Sequence, residues 1–556
     1  MAVAGLTLVA LSPFFLAHSR FMHVDGVLTS LMTLSVLSLV LGTGEQSGGT
    51  RLRYVALSGL TGGLAALQKS PAMFLAPFAG LVLVVDEVRR VGKPGGSWLR
   101  PRRLWKADWL HAARSLILWG AAAVVVYVAL WPSMWVDPVG TLSRVFGKAV
   151  GYAEEGHTLG NYFMGRPVLD PGWAFYPVAV LFRLSPLSFV GLLATFGWLI
   201  KGEGRGEERF GILTLLLYGV LFGAFMSSGA KKFDRYILPI FPALEIAAGC
   251  GLVWLAKEVG RRLRASAHSL PLMGVGITAI ALIVQTALAL PHRPHYLSYF
   301  NPLLGGTRRA KDVLLLGWGE GYGEAIDYLN AKPNAEDLQV AVGRFSGFAP
   351  LFSGEPRTND TYSVWETDYV VNYLSQVQRL RNEDILRAYF YNPEAEPEYV
   401  VTLHGVDYLW IYPNTHHLEA MEYVAEHAQR GEGAPSTTPP GDCLLVNGDS
   451  LFAKDFPRTS EAHEYGDAPT PWELPTYAFR GRWNPAKEVY AYSSPEHVAQ
   501  LLKEMRTACQ RVWYVRYPAY EPEDYLRLLE GQGLLLEQKS YPHMDILLYQ
   551  LTALQT

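Results

Sequence analysis

Residues 18–26, HSRFMHVDG, set Arg20, His23 and Asp25 between two long apolar runs. An ionisable group at membrane depth is by default a candidate for function. An aspartate at the start of a helix also caps free backbone N–H groups and meets the positive end of the helix dipole, which is the structural reading of Asp25. Lys69, in ALQKSPAM, and Lys231, Lys232, Asp234, Arg235 and Tyr236, in SSGAKKFDRYILPIFP, also fall between apolar runs. Lys and Arg donate charge-assisted hydrogen bonds to phosphate oxygens, so these residues suggest binding of a phosphate at a membrane surface. The plainer alternative is an internal pair of Asp234 with a neighbouring cation beside a snorkelling lysine. Segment 132–176 adds Glu154, Glu155, His157, Asn161 and Arg166 as the lining of a polar substrate site, with aromatics suited to an interfacial helix. His157 and its glutamates lack metal-ligand spacing, and no metal site is expected. A divalent cation drawn in by acidic groups near a phosphate is the one cofactor left open.

The elements that must position these residues are legible in hydropathy. Residues 1–17, 24–42, 54–68, 71–85, 115–131, 177–200, 210–226, 236–256 and 271–290 are apolar runs, close to the ~20 residues that cross hydrocarbon. They are expected to form about nine membrane helices. Arg89, Arg90, Lys93, Arg100, Arg102, Arg103, Lys106 and Arg114 crowd one loop, with smaller basic groups at Arg51 and Arg53, Lys201 to Arg209, and Lys257 to Arg264. The positive-inside rule makes those loops cytoplasmic. Alternation then puts Arg20, His23, Lys69, residues 132–176 and 227–235, and everything after 291 on the outer face. Lys231 and Arg235 stand there against the charge rule, and Glu245 lies inside the eighth run with no partner evident.

Beyond Pro291, charge, Pro and Gly return and the pattern becomes α/β. The expected organisation is a membrane region over 1–291 and an extracytoplasmic α/β domain over 292–556, divided into two halves near 430–442. Strands are expected at DVLLLG, LQVAVGRF, DYVVNYL, DYLWIYP, RVWYVRYP and DILLYQL, and helices at SPEHVAQLLKEMRTA and PEDYLRLLEGQG. Gly317, Gly319, Gly321 and Gly323 lack the spacing of a dinucleotide loop, and Glu320 and Glu324 would repel phosphate, so a plain strand-to-helix turn is expected. A net charge of −3 carries no basic field for nucleic acid. Cys443 and Cys509 fall where a disulfide is permitted, and a disulfide and two buried thiols stay equally open.

The segments LSPFFLAHSRFMHVDGVLTSLMTLSVLSL, LTGGLAALQKSPAMFLAPFAGL, GNYFMGRPVLDPGWAFYPVAVLFRLSP and KKFDRYILPIFPALEI resemble the membrane part of the family-39 glycosyltransferases. These are relatives of the protein O-mannosyltransferases and aminoarabinose transferases within the GT-C fold. The resemblance implies a sugar donor linked through phosphate to a polyprenol, a protein or glycan acceptor, and transfer with inversion at the extracytoplasmic face. It gives Arg20, His23 and Asp25 the polar start of a helix beside the catalytic loop. Lys231, Arg235 and Tyr236, with Lys69, would face the donor phosphate, while Lys and Arg steady charge on the leaving group. Family members precede this point with an outer loop bearing an acidic pair, commonly Asp-Glu. Nothing before Ala17 can be that loop, so the coding sequence is expected to begin upstream, and Asp25 is expected to support catalysis rather than act as sole base. The rival readings are a transporter or flippase of an anionic lipid or sugar, which needs paired repeats or broken helices at mid-membrane that the sequence does not display, and a non-catalytic membrane anchor.

Overall fold

The computed structural model describes residues 2–551 except 91–107, 264–268, 360–366, 415–422, 428–441, 448–475, 485–488, 492–501, 517–522 and some shorter interruptions. Among the described residues, six helices are long and apolar enough to span a bilayer: Val24–Gly44, Ser70–Arg90, Trp109–Ala129, Gly206–Ser227, Asp234–Arg262 and Leu272–His292. Two bent pairs join them, Ala2–Leu11 with Pro13–Arg20 at 58° and Phe175–Arg183 with Pro186–Lys201 at 113°. The remaining expected run is the helix Gly48–Gln68, which carries Arg51, Arg53 and several glycines and is not among those apolar spans. A Cβ on its Gly59 or Gly63 would run into the backbone of Trp119 or Ala123, so the glycines let this helix lie directly against Trp109–Ala129.

Both breaks have a local cause. Ser12-Pro13 and Ser185-Pro186 each put proline at the first turn of the second helix, where its missing N–H is tolerated and continuation of the first helix is not. Ser185 Oγ accepts the Ser188 N–H at 3.1 Å. Ser12 and Ser188 both hydrogen-bond the buried Glu245, which supplies the partners that the sequence left unnamed. The broken helices meet one condition of a transporter.

At another end of the bundle Arg51, 1 % exposed, reaches Asp86 at 2.6 Å and Glu87 at 3.0 Å. Arg89 and Arg90 also pair with Asp86, each at 2.9 Å, and His111 Nδ1 lies 3.0 Å from Glu87. Part of the basic character read as a topological signal is therefore internal ion pairing. The other basic residues of that loop, 91–107, lie outside the described residues.

By its contacts the chain forms two units, 1–320 with 404–406, and 321–403 with 407–556. Residues 292–320, assigned from sequence to the outer domain, fold with the first unit. They form short turns pinned by Arg183, whose Nη1 donates to the carbonyls of Leu297 at 2.7 Å and Tyr299 at 2.8 Å, and by Asn301 N–H to Phe182 O at 2.7 Å. The expected strand DVLLLG is reduced to one bridge, Phe163 to Leu314. Segment 132–176 contains the amphipathic helix Pro138–Glu154 and a hairpin of β1 (Asn161–Phe163) and β2 (Arg166–Val168).

The second unit holds two five-stranded sheets. The first orders β4 (Glu355–Thr358), β3 (Gln339–Val342), β5 (Tyr369–Tyr373), β7 (Val406–Pro413) and β6 (Tyr399–Leu403), with β3 parallel to both neighbours and β5 antiparallel to β7. The second follows β8 (Asp442–Asn447) and β9 (Thr476–Phe479); β10 (Arg482–Asn484) and β11 (Val489–Ala491) form a separate ribbon. Its order is β13 (Gly533–Tyr541), β14 (Met544–Leu551), β12 (Arg511–Arg516), β8, β9. The Glu523–Glu530 helix matches PEDYLRLLEGQG, whereas most of SPEHVAQLLKEMRTA and of the 430–442 linker lies outside the described residues. Cys443 and Cys509 are joined in a disulfide with Cα atoms 5.8 Å apart, resolving the alternative left open by sequence.

Removing Arg51 leaves Asp86 and Glu87 buried with less compensation. Arg51→Met is expected to destabilise the bundle by about 3 to 5 kcal/mol. Thermal unfolding in detergent checks this, and an unchanged midpoint would contradict it.

Candidate functional site

The site is built on the N-terminus of the Val24–Gly44 helix. The cap is His23, not Asp25: the His23 ring Nδ1 accepts the Asp25 N–H at 3.3 Å. The same Nδ1 lies 3.2 Å from Asp25 Oδ2, but burial lowers the His23 pKa, and a neutral ring accepting at Nδ1 makes this a cap rather than an ion pair. Asp25 is thereby released to point its carboxylate across the bundle. It is 2 % exposed. Oδ1 accepts a hydrogen bond from Lys69 Nζ at 2.8 Å, and Oδ2 faces Arg235 Nε at 3.5 Å. Neither Asp25 Oδ2 nor Arg235 Nε has a hydrogen-bond partner, although both atoms are buried.

Lys69 sits at the junction of Gly48–Gln68 with the turn Ser70–Phe74, where Pro71 forces the helix to restart. Its ammonium lies 4.3 Å over the Tyr236 ring. Burial lowers the Lys69 pKa; Asp25 opposes that shift, and Arg235 and Lys231 reinforce it. Lys231 is thus close enough to add its field to the cluster.

Arg235 is aimed by its neighbour Asp234. Arg183 Nε and Nη2 donate to Asp234 Oδ2 at 2.9 and 2.6 Å, and Asp234 Oδ1 accepts the Arg235 N–H at 2.8 Å. In place of the local pair within 231–235 that stood as the alternative, Asp234 pairs with Arg183 from the tight 3₁₀ turn Asp234–Ile240. Lys232 is neutralised separately by Asp170 at 2.6 Å. The Arg235 guanidinium lies 4.6 Å over Trp318, 4.7 Å over Phe233 and 5.0 Å over Tyr236.

The structure brings His23, Asp25, Lys69, Arg235 and Tyr236 together. Arg20 ends the preceding helix, exposed and 5.1 Å over Tyr296. Asn161 donates to the Lys232 carbonyl at 2.6 Å, bracing the basic segment from outside. Arg166 is exposed on β2, and His157 lies outside the described residues. Three residues escaped the sequence reading. Trp318, in the glycine-rich GWGEGYG, contacts His18, Phe21 and His23 with centroids 5.8, 5.4 and 5.2 Å away. Gly317 and Gly319 on either side have φ of 91° and 118°, so the glycines serve to turn the indole toward this cluster. The lone Arg183 within an apolar run was the available signal for the second. His18 is buried with both ring nitrogens lacking partners.

With Asp25 already engaged by Lys69 and Arg235, the donor set suits an anion better than a divalent cation, which needs several oxygen ligands. Among the described residues no group of three His, Cys, Asp or Glu side chains is arranged to hold a metal.

Residues 1–136 match the family model for dolichyl-phosphate-mannose-protein mannosyltransferase. No curated protein sequence matches the chain. Among solved structures, ArnT from Cupriavidus metallidurans bound to undecaprenyl phosphate is similar at 14% identity and a TM-score of 0.31, over 74% of this chain and 79% of that one. The apo oligosaccharyltransferase of Archaeoglobus fulgidus is similar at 12% identity and a TM-score of 0.32, over 99% and 76%. Over its first 136 residues, the chain matches a mannosyltransferase family of the GT-C class that its motifs resemble.

Proposed function

We propose that the protein is a membrane glycosyltransferase that takes a sugar from a polyprenyl-phosphate donor and transfers it, with inversion, to a hydroxyl-bearing protein or glycan acceptor at the extracytoplasmic face. The observation that carries this reading is the facing pair of buried, unbonded atoms, Asp25 Oδ2 and Arg235 Nε, within a cluster that also holds Lys69 and Lys231. One is a lone pair that an acceptor hydroxyl fits. The other is a donor that a phosphate oxygen fits.

In that reading Arg235, Lys69 and Lys231 hold the donor phosphate, and Tyr236 and Trp318 wall the cations from water. The acceptor oxygen attacks the anomeric carbon while the bond from that carbon to the phosphate oxygen breaks. The hydroxyl proton passes toward Asp25, and the lipid phosphate leaves with the bonding pair, steadied by the cations. His23 fixes the backbone from which Asp25 projects. Arg20 sits at the rim. His157, Asn161 and Arg166 are assigned to the acceptor-side loop. The disulfide of the second unit agrees with an oxidising, extracytoplasmic location. The transporter reading has the two bent helix pairs in its favour, and flipping without transfer in a membrane assay would establish it.

Charge removal at the phosphate site should weaken donor binding by about 1.5 to 3 kcal/mol for each charge-assisted bond lost. A Lys231→Ala, Arg235→Ala variant that stays folded yet binds radiolabelled polyprenyl-phosphate sugar like the parent would remove the assignment.

The pH dependence has a defined sign. Because burial lowers the Lys69 pKa, its positive charge is complete at low pH and is lost as pH rises through that depressed value, earlier than for a solvated lysine. Donor binding should therefore fall on the alkaline side, and Lys69→Arg, which stays charged, should shift that limb to higher pH. A limb that does not move with Lys69→Arg belongs to another group.

Sidedness is checked with single cysteines in a background lacking Cys250. Ser97→Cys should react with an impermeant thiol reagent only from the cytoplasm and Ser436→Cys only from outside. The reverse pattern would move the whole site to the cytoplasmic face.

A further inference from the structure

In the second unit, buried amide side chains collect where the first sheet reverses its winding. The chain leaves the carboxyl end of β3 toward β4 on one side and leaves the carboxyl end of β5 toward β7 and β6 on the other. β3 and β5 are parallel neighbours, paired Val340 to Tyr369 through Val342 to Val371. In open α/β sheets, a crevice forms outside the carboxyl ends of two such strands, because their connections diverge and nothing fills the space between.

Asn359 follows β4, Asn372 lies near the end of β5, and Gln376 lies one turn into the Leu374–Gln378 helix beyond it. They are 3 %, 0 % and 6 % exposed. A single amide group serves them all: Asn359 Nδ2 donates to Val371 O at 2.9 Å, to Gln376 Oε1 at 3.2 Å and to Asn372 Oδ1 at 3.5 Å. That leaves Asn359 Oδ1, Asn372 Nδ2 and Gln376 Nε2 buried with no hydrogen-bond partner. Three such groups in one place are costly unless something else satisfies them. Gly343, the residue after β3, is exposed, and a Cβ placed on it would stand 3.5 Å from Gln376 Oε1. Gly343 therefore stands against Gln376 with no side chain of its own.

We propose that this crevice binds a neutral sugar unit, making the second unit a carbohydrate-binding module of the protein. Two NH₂ groups offer donors and one carbonyl offers an acceptor. Each sugar hydroxyl has two lone pairs and one proton, a surplus of acceptors that complements the surplus of donors in the site. An anion would leave Asn359 Oδ1 facing like charge. A peptide group supplies only one acceptor for one donor. Such a site would hold a glycan near the enzyme independently of donor binding, and the inference does not depend on the phosphate site.

The test uses the full chain in lipid nanodiscs free of sugar detergents, probed with the methyl glycosides of mannose, glucose, galactose and N-acetylglucosamine by saturation-transfer NMR and calorimetry. At least one glycoside should bind saturably with a Kd on the order of 1 mM. Asn372→Leu with Gln376→Leu should weaken it about tenfold or more, with no loss of thermal stability because unsatisfied amides are removed. Gly343→Val, which leaves every amide in place, should also block binding by covering the crevice. The Lys231→Ala, Arg235→Ala variant should bind the glycoside normally, which separates this site from the donor site. Absence of saturable binding to any of the four, or equal binding by the parent and the Gly343→Val variant, overturns the proposal and leaves the amides to ordered water.

Discussion

The pair of buried Arg183 and half-buried Asp234 is the constraint on which the geometry of the first unit rests. Arg183 uses its donors on Asp234 and on the carbonyls of Leu297 and Tyr299, and its guanidinium stacks 3.8 Å from the Phe300 ring centroid. One side chain thus ties the end of a broken helix, the basic turn and the segment beyond the last span. Left without either partner, the other would be a bare charge in an apolar interior. Because Asp234 is committed to Arg183, the adjacent Arg235 projects toward Asp25.

Asp25 is a second consequence. A carboxylate at a helix N-terminus ordinarily spends itself on the cap, but His23 takes that duty and Asp25 reaches Lys69 instead. The cluster remains incompletely bonded, with Asp25 Oδ2 and Arg235 Nε both lacking partners. Buried polar atoms are mostly paired, with protein groups or with ordered water, so these two stand out as open to a partner from outside the chain. Aromatic rings of Tyr236, Phe233 and Trp318 flank the cations and reduce their contact with solvent, which strengthens the electrostatic interactions within the cluster.

The second unit follows a different logic. Its first sheet mixes parallel and antiparallel pairs, and the only parallel ladders described in it are those of β3 with β4 and β5. That local parallel arrangement creates divergent connections, and the unsatisfied amides occur at that point. The chain thus places its buried ionic cluster in one unit and its unsatisfied neutral amides in the other.

Much of the helical scaffold was legible in the sequence because it depends on local composition. Continuous apolar runs mark membrane helices wherever they occur, and Val- and Tyr-rich runs mark β3, β5, β7, β12 and β14, whereas the breaks at Ser12-Pro13 and Ser185-Pro186 fall inside runs that read as single helices. Polar edge strands such as Glu355–Thr358 carry no such signal, and DVLLLG looked like a strand but pairs with β1 through a single bridge. The sequence also supplied the charged residues near Asp25, though not their partners. Lys69 is 44 positions from Asp25, Asp234 is 51 from Arg183, and Arg183 is 114 from Leu297. Trp318 entered the cluster from a stretch that read as a mere turn. Hydropathy and turn chemistry act over a few residues and are written locally, whereas ion pairs and hydrogen-bond satisfaction depend on which distant segments share a desolvated space, and only the folded chain decides that.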